Sequence, residues 1–385
     1  MLKENYHNFI KFKLKEISNK NQFRRIENSA RNKKNRIIRN HKTYISFSCN
    51  DYLSLSQNPK VIKASVNACK KYGAGSGASR LITGNNPLYF KLEEMLSKFK
   101  KVEASCVFGS GYLANLGVIS ALSNKNDLIL IDELSHSSTF MGARLTYSKV
   151  IKYKHNNVDD LHLKLKKHRE KFKKCIIVTE GVFSMDGDIP PLNKITELKE
   201  QFNAFLILDD AHGLGVVGDG TGSSSLFEKN SVKIDAYIGT LSKSLGSYGG
   251  FVSGKKNLIN FLVNRCRTQI YTTGLPPASL AASIEALKII KSNNNLLKKP
   301  LKMAEFFCKL IGKNKPLSPI VPLIIKEEKK TIKISKSLMK EGFIVSAIRP
   351  PTVPENSSRL RIAFNASHTR VQVEALAKKI NQLLR

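Results

Sequence analysis

The sequence lacks tryptophan, is poor in acidic residues and has no long apolar run. Of its 385 residues, 64 are Lys or Arg, 30 are Asp or Glu and none is Trp. No uninterrupted apolar stretch approaches the roughly 18 residues that a membrane-spanning helix needs, so we expect a soluble protein with no membrane partner. With 41% hydrophobic residues, 23 Gly and 13 Pro, the composition excludes collagen-like, disordered and coiled-coil proteins and predicts a globular one.

Closely spaced cysteines are also missing. The six cysteines lie far apart, and neither a C-x-x-C pair nor a His-rich segment accompanies them. This spacing excludes the usual zinc sites and disulfide frameworks, so we expect no metal. The first twenty residues predict a lysine-decorated amphipathic helix without the apolar region of a secretory signal, which favours a cytoplasmic location.

The scarcity of acidic residues leaves a formal net charge of +34. Such an excess attracts nucleic acid, anionic membranes and acidic partners. The lysines, however, are spread along the whole chain and mixed with asparagine, as in residues 32–40 and 292–299. We therefore interpret the charge as compositional and expect no specific nucleic acid. A basic nucleic-acid-binding protein on an enzyme-like fold is the alternative.

Short β-rich runs alternate with helical patterns through the middle of the chain. Near-continuous apolar strands separated by helices are typical of a buried, mostly parallel sheet. The pattern therefore predicts an α/β fold in which helices flank the sheet. The predicted strands cover residues 105–108, 128–131, 175–179, 205–208, 236–239 and 251–253.

The sequence pattern changes near residues 273–277. There, Gly274 and two prolines precede a long apolar helix predicted over 278–290. The helices and short strands expected after it are typical of a smaller α+β domain. We predict an N-terminal helical segment at 1–45, a large α/β domain at 46–275 and a small α+β domain at 276–385.

The most informative segment is the apolar strand at 205–208, which leads into Asp209, Asp210 and His212. Ligands of α/β sheets gather at the carboxyl ends of strands, so these side chains are candidates for a binding site. A carboxylate that emerges from a buried strand needs a partner to remain charged, and a cationic ring nitrogen would supply one. An Asp that caps a following turn explains the segment equally well.

A lysine follows the next predicted strand. Lys243 lies among small hydroxyl and glycine residues in the segment 239–246, which offer phosphate ligands and room for a cofactor beside the amine. Most lysines in so basic a chain lie on the surface, which is the alternative here. The combination of a strand-end Asp with a downstream Ser242-Lys243 pair favours a pyridoxal phosphate enzyme.

Two further segments fit such a site. The turn at 108–112 includes Gly111 and Tyr112 and precedes a predicted helix, whose first N–H groups could hold a phosphate. His136 follows the strand at 128–131, where an imidazole could stack on a pyridine ring, although a core or exposed histidine is the commoner case.

From about Arg24 to the C-terminus, the sequence resembles the α-oxoamine synthases. These fold-type I pyridoxal phosphate enzymes join an amino acid to an acyl thioester with loss of carbon dioxide. The resemblance therefore implies a pyridoxal-phosphate-dependent acyltransferase with a large, mostly parallel sheet domain and a smaller C-terminal domain. The landmarks are Asn50-Asp51-Tyr52-Leu53, the glycine-rich stretch 73–84, the segment 179–187, Asp209 to Gly213, and Lys243.

The resemblance also implies residue roles around pyridoxal 5′-phosphate. Lys243 would bind the cofactor covalently and act as the base, and Asp209 would keep the ring nitrogen protonated. His136 would stack on the ring and orient the amino acid. A homodimer with shared sites follows if the neighbouring subunit provides a threonine to the phosphate. The other contacts implied are His212 to the phenolic oxygen, Ser184 to the cofactor, and Gly111, Tyr112, Thr240 and a partner Thr272 or Thr273 to the phosphate.

Substrate contacts follow from the same resemblance. Arg361 with Asn50 would bind the amino-acid carboxylate, and Arg24 and Thr352 match substrate-contacting positions, although Arg25 beside Arg24 leaves that register open by one residue. The segment 345–354 is similar to the member of biotin biosynthesis that condenses L-alanine with a pimeloyl thioester on CoA or acyl carrier protein. A glycine- or serine-using member is the alternative.

Overall fold

The structure, a computed structural model, describes residues 5–228 and 231–384. Helices account for much of the chain and lie mainly between the strands. Their bounds are α1 Tyr6–Asn19, α2 Pro59–Tyr72, α3 Leu88–Lys100, α4 Gly111–Leu122, α5 Ser137–Arg144, α6 Val158–His168, α7 Leu192–Gln201, α8 Lys256–Arg265, α9 Arg267–Ile270, α10 Pro277–Ser292, α11 Asn294–Leu310, α12 Glu328–Lys340 and α13 Arg370–Leu384.

The strands fall into a large sheet and two smaller ones. Their bounds are β1 Ala30–Arg31, β2 Arg36–Arg39, β3 Lys42–Ser46, β4 Ala104–Phe108, β5 Leu128–Asp132, β6 Lys149–Tyr153, β7 Cys175–Glu180, β8 Phe205–Asp209, β9 Ala236–Thr240, β10 Gly250–Gly254, β11 Ile320–Lys326, β12 Phe343–Ile344, β13 Ser346–Ile348 and β14 Ser358–Ala363.

The large sheet has seven strands in the order β4-β10-β9-β8-β7-β5-β6. Strands β5 to β9 pair in parallel, and β10 alone runs antiparallel to its neighbours β9 and β4. All six strands expected from the sequence are present, which confirms the predicted α/β fold. The pattern missed β6, an edge strand whose two lysines interrupt its apolar run.

Helices cover both faces of this sheet. Ile129 and Ile131 pack in one apolar cluster with residues of α4 and α8, whereas Leu128 and Leu130 pack in another with residues of α6 and α7. Successive side chains of a strand point to opposite faces, so a strand covered on both sides must be apolar throughout. This is why the strands appear in the sequence as continuous apolar runs.

The C-terminal residues build a second core around the antiparallel sheet β11-β14-β13. Phe307 of α11, Leu338 of α12 and Leu376 of α13 are all fully buried against it. The strand β14 is also buried along its whole length. Its two arginines, Arg359 and Arg361, reach the loop that follows β7 at Asp186 and Ser184.

The predicted N-terminal helical segment is only partly correct. Helix α1 is present, but residues 30–46 form the strands β1, β2 and β3, and β12 adds to β3 in parallel. The short basic runs of β2 and β3 give a weak strand pattern; the two strands pair with each other in a local hairpin, and β3 also pairs with β12, about 300 residues away. The domain limits at 45 and 275 remain a proposal. No helix in the described part of the chain is long and apolar enough to cross a membrane.

Candidate active site

Polar side chains meet at the carboxyl ends of neighbouring parallel strands. Glu180 is the last residue of β7, Asp209 of β8 and Thr240 of β9, and Glu180 lies opposite Asp209 in the strand register. Helix α4 begins at Gly111, just after β4. Parallel strands end at one edge of a sheet, which is where the binding crevice of such folds lies.

The Asp209 carboxylate is 7% exposed and is held from two sides. The side-chain amide of Asn115 donates to its Oδ2 at 2.6 Å, and the backbone N–H of Ala211 donates to its Oδ1 at 3.0 Å. Hydrogen bonds from neutral donors stabilise a carboxylate without neutralising it. These two bonds fix the position of the Asp209 carboxyl group, as a partner for a ring nitrogen requires.

Lys243 follows β9 and faces this carboxylate. Burial lowers the pKa of its amine to about 8, against the opposing effects of the carboxyl groups of Asp209 and Glu180. A lysine with such a pKa has a substantial neutral fraction near neutral pH, so it can act as a nucleophile and as a base. The alternative of an ordinary surface lysine does not fit this position.

His212 is 7% exposed and lies against Tyr52, whose phenol oxygen is 2.7 Å from its Nδ1. Burial lowers the pKa of His212 well below 6.5, aided by the charges of Lys243 and Arg361, so the ring is neutral. Burial likewise raises the pKa of Tyr52, which keeps its proton. Tyr52 therefore donates to Nδ1, and the other ring nitrogen of His212 carries a hydrogen that can be donated.

His136 precedes α5 and caps it. Its Nδ1 lies 2.7 Å from the hydroxyl of Ser138, and its ring meets that of Tyr112 edge to face at 6.4 Å. Burial lowers the pKa of His136, an effect that Lys243 reinforces and Asp209 opposes. A neutral imidazole whose orientation is fixed by such contacts can stack on a flat ring.

Glu180 had no role in the sequence prediction, although it belongs to the segment 179–187. It is 3% exposed, and its carboxyl accepts a hydrogen bond from the backbone N–H of His136. Burial and the nearby Asp209 raise its pKa well above the ordinary value, so we assign Glu180 as a neutral acid. The one signal in the sequence that could have indicated a role for Glu180 is its position at the end of a predicted strand, as for Asp209.

The N-terminus of α4 is suited to bind an anion. The first N–H groups of a helix have no acceptor within it, and those of Gly111 and Tyr112 lie beside Thr240. Thr240 is buried and donates to the carbonyl of Gly249 at 2.9 Å, while Ser242 lies 2.7 Å from its hydroxyl. Ser242 is thus a further hydroxyl that the sequence prediction left unassigned.

Residues 272–273 lie near the N-terminal end of α4 of the same chain. A Cβ on Gly109 would come 3.5 Å from the Cγ2 of Thr272, and Thr273 pairs with Ser79 in an isolated bridge. The first contact places Thr272 at the turn before α4, and the second places Thr273 beside Ser79. Which of them reaches a phosphate, and in which subunit, stays a prediction.

Arg361 on β14 closes the other side of the site and is 4% exposed. Both of its terminal nitrogens donate to Oδ1 of Asn50 at 3.1 Å, and its Nε donates to the carbonyl of Ser184. The structure therefore brings together Arg361, Asn50 and Ser184, of which the sequence prediction had paired Arg361 with Asn50. A fixed planar guanidinium is suited to a carboxylate.

Arg24 reaches the site from the N-terminal region. Its Nη2 donates to the Thr352 hydroxyl at 2.9 Å, whereas Arg25 lies over the ring of Phe23. Arg24 is therefore the residue in register with Thr352. Thr352 lines a cavity of about 540 Å³ together with His136 and Ser184.

Comparison with known proteins places this geometry in a family. Residues 42–380 match the family model described as aminotransferase class I and II. The chain belongs to this family. It is 45% identical over 349 residues to an 8-amino-7-oxononanoate synthase of Methylocella silvestris, covering 91% of this chain and 99% of that one. This likeness confirms the resemblance that the motifs indicated.

Solved structures of this family superpose closely. The serine palmitoyltransferase of Sphingomonas wittichii matches with a TM-score of 0.90 and 26% identity, covering 100% of this chain and 98% of that one. The 8-amino-7-oxononanoate synthase of Francisella tularensis matches with a TM-score of 0.73 and 29% identity, covering 89% and 99%. The chain is thus a fold-type I enzyme.

The cofactor of this fold family is pyridoxal 5′-phosphate, and the residues present fit it. Lys243 offers an amine, Asp209 a carboxylate and the start of α4 an anion site. Gly111 lies directly beside Thr240, so the start of α4 and the Thr240 hydroxyl meet at the same point of the site. Among residues 5–228 and 231–384, no cluster of three or more His, Cys, Asp or Glu could hold a metal ion.

Proposed function

We propose that this enzyme condenses L-alanine with a pimeloyl thioester to give 8-amino-7-oxononanoate, carbon dioxide and a free thiol, as in biotin biosynthesis. The observation that carries the proposal is the position of Arg361 and Asn50 opposite Lys243 and Asp209. A carboxylate held by Arg361 would lie between the groups that activate its α-carbon. The name of the Methylocella silvestris relative supports the choice of reaction.

Bound pyridoxal phosphate supplies the electron sink that stabilises a carbanion at the α-carbon of the amino acid. Lys243 would hold the cofactor and then, once free, take the α-proton. Its pKa of about 8 suits this exchange near neutral pH. Asp209 would keep the ring nitrogen protonated, and Asn115 would hold that carboxylate in place.

The remaining groups would fix the cofactor in one orientation. His136 would cover one ring face, and the free N–H of His212 would donate to the phenolic oxygen. Ser184 would approach from the neighbouring strand end. Gly111, Tyr112 and Thr240 would bind the phosphate, with Thr272 or Thr273 of a second subunit. We therefore propose a homodimer, and we place the reaction in the cytoplasm, where the six free thiols of the chain are stable.

The substrate reaction balances without an external oxidant. The α-carbon attacks the thioester carbonyl, the C–S bond breaks and the thiolate leaves. The resulting β-keto acid loses its carboxylate as carbon dioxide, and a proton returns to the α-carbon from Lys243. Arg361 and Asn50 would hold the carboxylate until it leaves, and the Arg24–Thr352 pair would contact the acyl donor.

Parallel assays with L-alanine, glycine and L-serine test the proposal. The purified protein is mixed with pimeloyl-CoA or the pimeloyl carrier-protein thioester, and released carbon dioxide and the products are identified. We expect 8-amino-7-oxononanoate from alanine and little turnover with the other two amino acids. A preference for serine would instead favour the second candidate, a serine-using synthase, which the close superposition with serine palmitoyltransferase supports. A preference for glycine would assign a glycine-using enzyme.

A further inference from the structure

The side chain of His155, just after the edge strand β6, lies between two carboxylates. Its Nδ1 is 2.9 Å from Oδ1 of Asp132, and its Nε2 is 2.8 Å from Oδ2 of Asp188. Asp132 is the last residue of β5, and Asp188 lies in the loop that follows β7. In the sheet β5 lies between β7 and β6, so His155 reaches across the end of β5 to the loop of the strand beyond it.

The two contacts require His155 to be charged. Ionised carboxylates only accept hydrogen bonds, so both ring nitrogens must carry a hydrogen and donate it. Burial disfavours the charge, but the hydrogen bonds and charges of Asp132 and Asp188 outweigh it and raise the pKa of His155 to about 10. The side chain is only 20% exposed, so solvent screens these two ion pairs incompletely.

The Asp132 carboxylate organises the turn that leads to His136. Besides His155, its Oδ1 accepts from the backbone N–H of Leu134 at 2.9 Å, and its Oδ2 accepts from that of Asn156 at 2.9 Å. The backbone carbonyl of Asp132 accepts from the N–H of the residue just before His136, at 3.0 Å. The position of the His136 ring relative to the sheet therefore depends on this turn.

Asp188 belongs to the loop that carries Ser184. The N–H of Phe183 donates to the carbonyl of Asp188 at 3.1 Å, and the N–H of Gly187 donates to the carbonyl of Phe183 at 2.8 Å, which closes the loop on itself. The buried ring of Phe183 meets the ring of His155 edge to face, with centroids 4.4 Å apart. A displacement of His155 would therefore move the loop, and Ser184 with it.

His155 does not itself reach the reacting groups. Among the described residues that line the cavity of about 540 Å³, His136 and Ser184 are present and His155 is not. Its two carboxylate partners, however, belong to the two segments that carry these lining residues. A displacement of about 1 Å in an active site can cost about 100-fold in rate, so a group that fixes two such segments can control orientation.

We propose that His155 is a positioning residue that joins the turn before His136 to the loop of Ser184 and so sets both side chains against the cofactor together. The inference rests on the proposed function for the roles of His136 and Ser184. The competing explanation is a purely structural ion pair, which would stabilise the fold and leave the orientation of the cofactor unchanged.

The test compares three holoenzymes: the parent, His155→Gln and, as the matched control, His162→Gln. Glutamine is uncharged and has one donating nitrogen, so it cannot donate to both carboxylates in opposite directions. His162 lies nearby in the sequence, on α6, where its ring meets that of Phe202. The measurements are the visible circular dichroism of the bound cofactor, the dissociation constant of alanine read from the cofactor absorbance, and thermal unfolding.

We expect His155→Gln to bind alanine about 10- to 100-fold more weakly, the effect typical of lost hydrogen bonds to a charged group. Its visible circular dichroism band should weaken, because the cofactor is then held in less fixed surroundings. The His162→Gln protein should match the parent in both. A His155→Gln protein that melts at a lower temperature but keeps the band and the alanine affinity of the parent would be explained by a structural ion pair, and this would overturn the inference.

A second substitution tests whether the effect passes through His136. His136→Ala is made in the parent and in His155→Gln, and alanine binding is measured in each protein. Changes that act through one side chain do not add, so the double variant should bind alanine only slightly more weakly than His136→Ala alone. Fully additive losses would show that His155 acts independently of His136 and would refute the proposal.

One measurement on the parent does not depend on how the variants fold. In the parent holoenzyme with isotope-labelled histidine, nuclear magnetic resonance at pH 8 should show one histidine with both ring N–H groups, although an ordinary histidine is neutral at that pH. If no histidine carries both hydrogens, His155 cannot donate in two directions and the inference is wrong. If the parent binds glycine or serine instead of alanine, the proposed substrate fails, and the same comparisons with that amino acid still test His155.

Discussion

The phenol of Tyr52 donates a hydrogen bond of 2.7 Å to Nδ1 of His212, across 160 residues of sequence. Both groups are buried and neutral, because burial raises the pKa of Tyr52 and lowers that of His212. The bond fixes the tautomer of His212 and leaves its second nitrogen as a donor. If His212 holds the cofactor as proposed, the orientation of the cofactor depends on Tyr52 through this bond.

Tyr52→Phe removes this donor, so we expect the His212 tautomer to become mixed and kcat to fall about tenfold. A lost neutral hydrogen bond of about 1–1.5 kcal/mol gives that magnitude. The measurement is kcat together with the absorbance spectrum of the bound cofactor, which should change shape. Tyr153→Phe, a buried tyrosine that donates to the carbonyl of Val178, is the control and should leave both unchanged. Identical spectra for the two variants would contradict the tautomer argument.

Asp209→Asn should lower kcat/KM by about 100- to 1,000-fold, the size typical of a lost electrostatic group in a preorganised site. Asn115→Ala should cost less, about tenfold, because the carboxylate keeps its bond from the Ala211 N–H. Combining the two changes should add little to the loss from Asp209→Asn alone, since both act through one carboxylate. Steady-state kinetics of the three proteins tests this. Fully additive losses would show that Asn115 acts independently of the Asp209 carboxylate.

Glu180 lies beside Asp209 as a neutral acid, because burial and that neighbour raise its pKa. Glu180→Gln keeps the acceptor for the His136 N–H and adds no charge, so activity should stay within about threefold of the parent. Glu180→Ala removes the acceptor and should cost about 10- to 100-fold, in line with an unsatisfied buried donor. Equal losses for Gln and Ala would show that Glu180 acts as a charged group instead.

The pKa of about 8 for Lys243 predicts how the cofactor-free protein takes up pyridoxal phosphate. Only the neutral amine forms the covalent link, so the rate of attachment should rise about tenfold per pH unit below 8 and level off above it. Stopped-flow absorbance at several pH values measures this rate. Lys243→Ala should show no attachment while its circular dichroism stays native, and Lys255→Ala, an exposed lysine, should match the parent. A rate of attachment that continued to increase up to pH 10 would contradict the lowered pKa of Lys243.

His368 predicts an acid-sensitive stability. Burial lowers its pKa to about 4; Nδ1 accepts from the Asn365 N–H, and Nε2 donates to the Ser46 carbonyl. The unfolded chain binds a proton near pH 6.5 and the folded one does not, so the free energy of unfolding should decrease as pH falls from 6.5 towards 4. The loss attributable to His368 is about 2 kcal/mol between pH 6.5 and 5.

Urea unfolding of the cofactor-free protein at several pH values measures this decrease. His368→Gln should be less stable at pH 7, because it loses the stacking on Phe47, but it should show a smaller decrease with pH. His162→Gln on the surface helix α6 serves as the control and should keep the slope of the parent. If the free energy of unfolding of His368→Gln decreases with falling pH as steeply as that of the parent, His368 is not the cause of the decrease.

The parts of the site that follow one another along the chain could be predicted from the sequence. The apolar strands before Asp209 and Lys243 are continuous because both faces of the sheet are covered, and the catalytic groups follow directly at their ends. Local spacing also predicted the turn before α4. A buried parallel sheet thus leaves a strong signal in the sequence.

The remaining contacts join segments that lie far apart. Asn115 meets Asp209 across 94 residues, and Arg349 meets Phe23 across 326. No local pattern contains such a pairing, because it arises only after the strands have assembled in order. The strands of the N-terminal region were missed for a different reason: they pair with one another locally, but their short basic runs lack an apolar strand pattern.

Arg361 lies on β14, within the last thirty residues of the chain, whereas the groups around the cofactor lie between Gly111 and Lys243. The ribosome therefore makes the residues of the proposed coenzyme site well before it has made Arg361. A nascent or C-terminally shortened polypeptide would carry these groups and still lack the guanidinium that is proposed to hold the carboxylate of the amino acid.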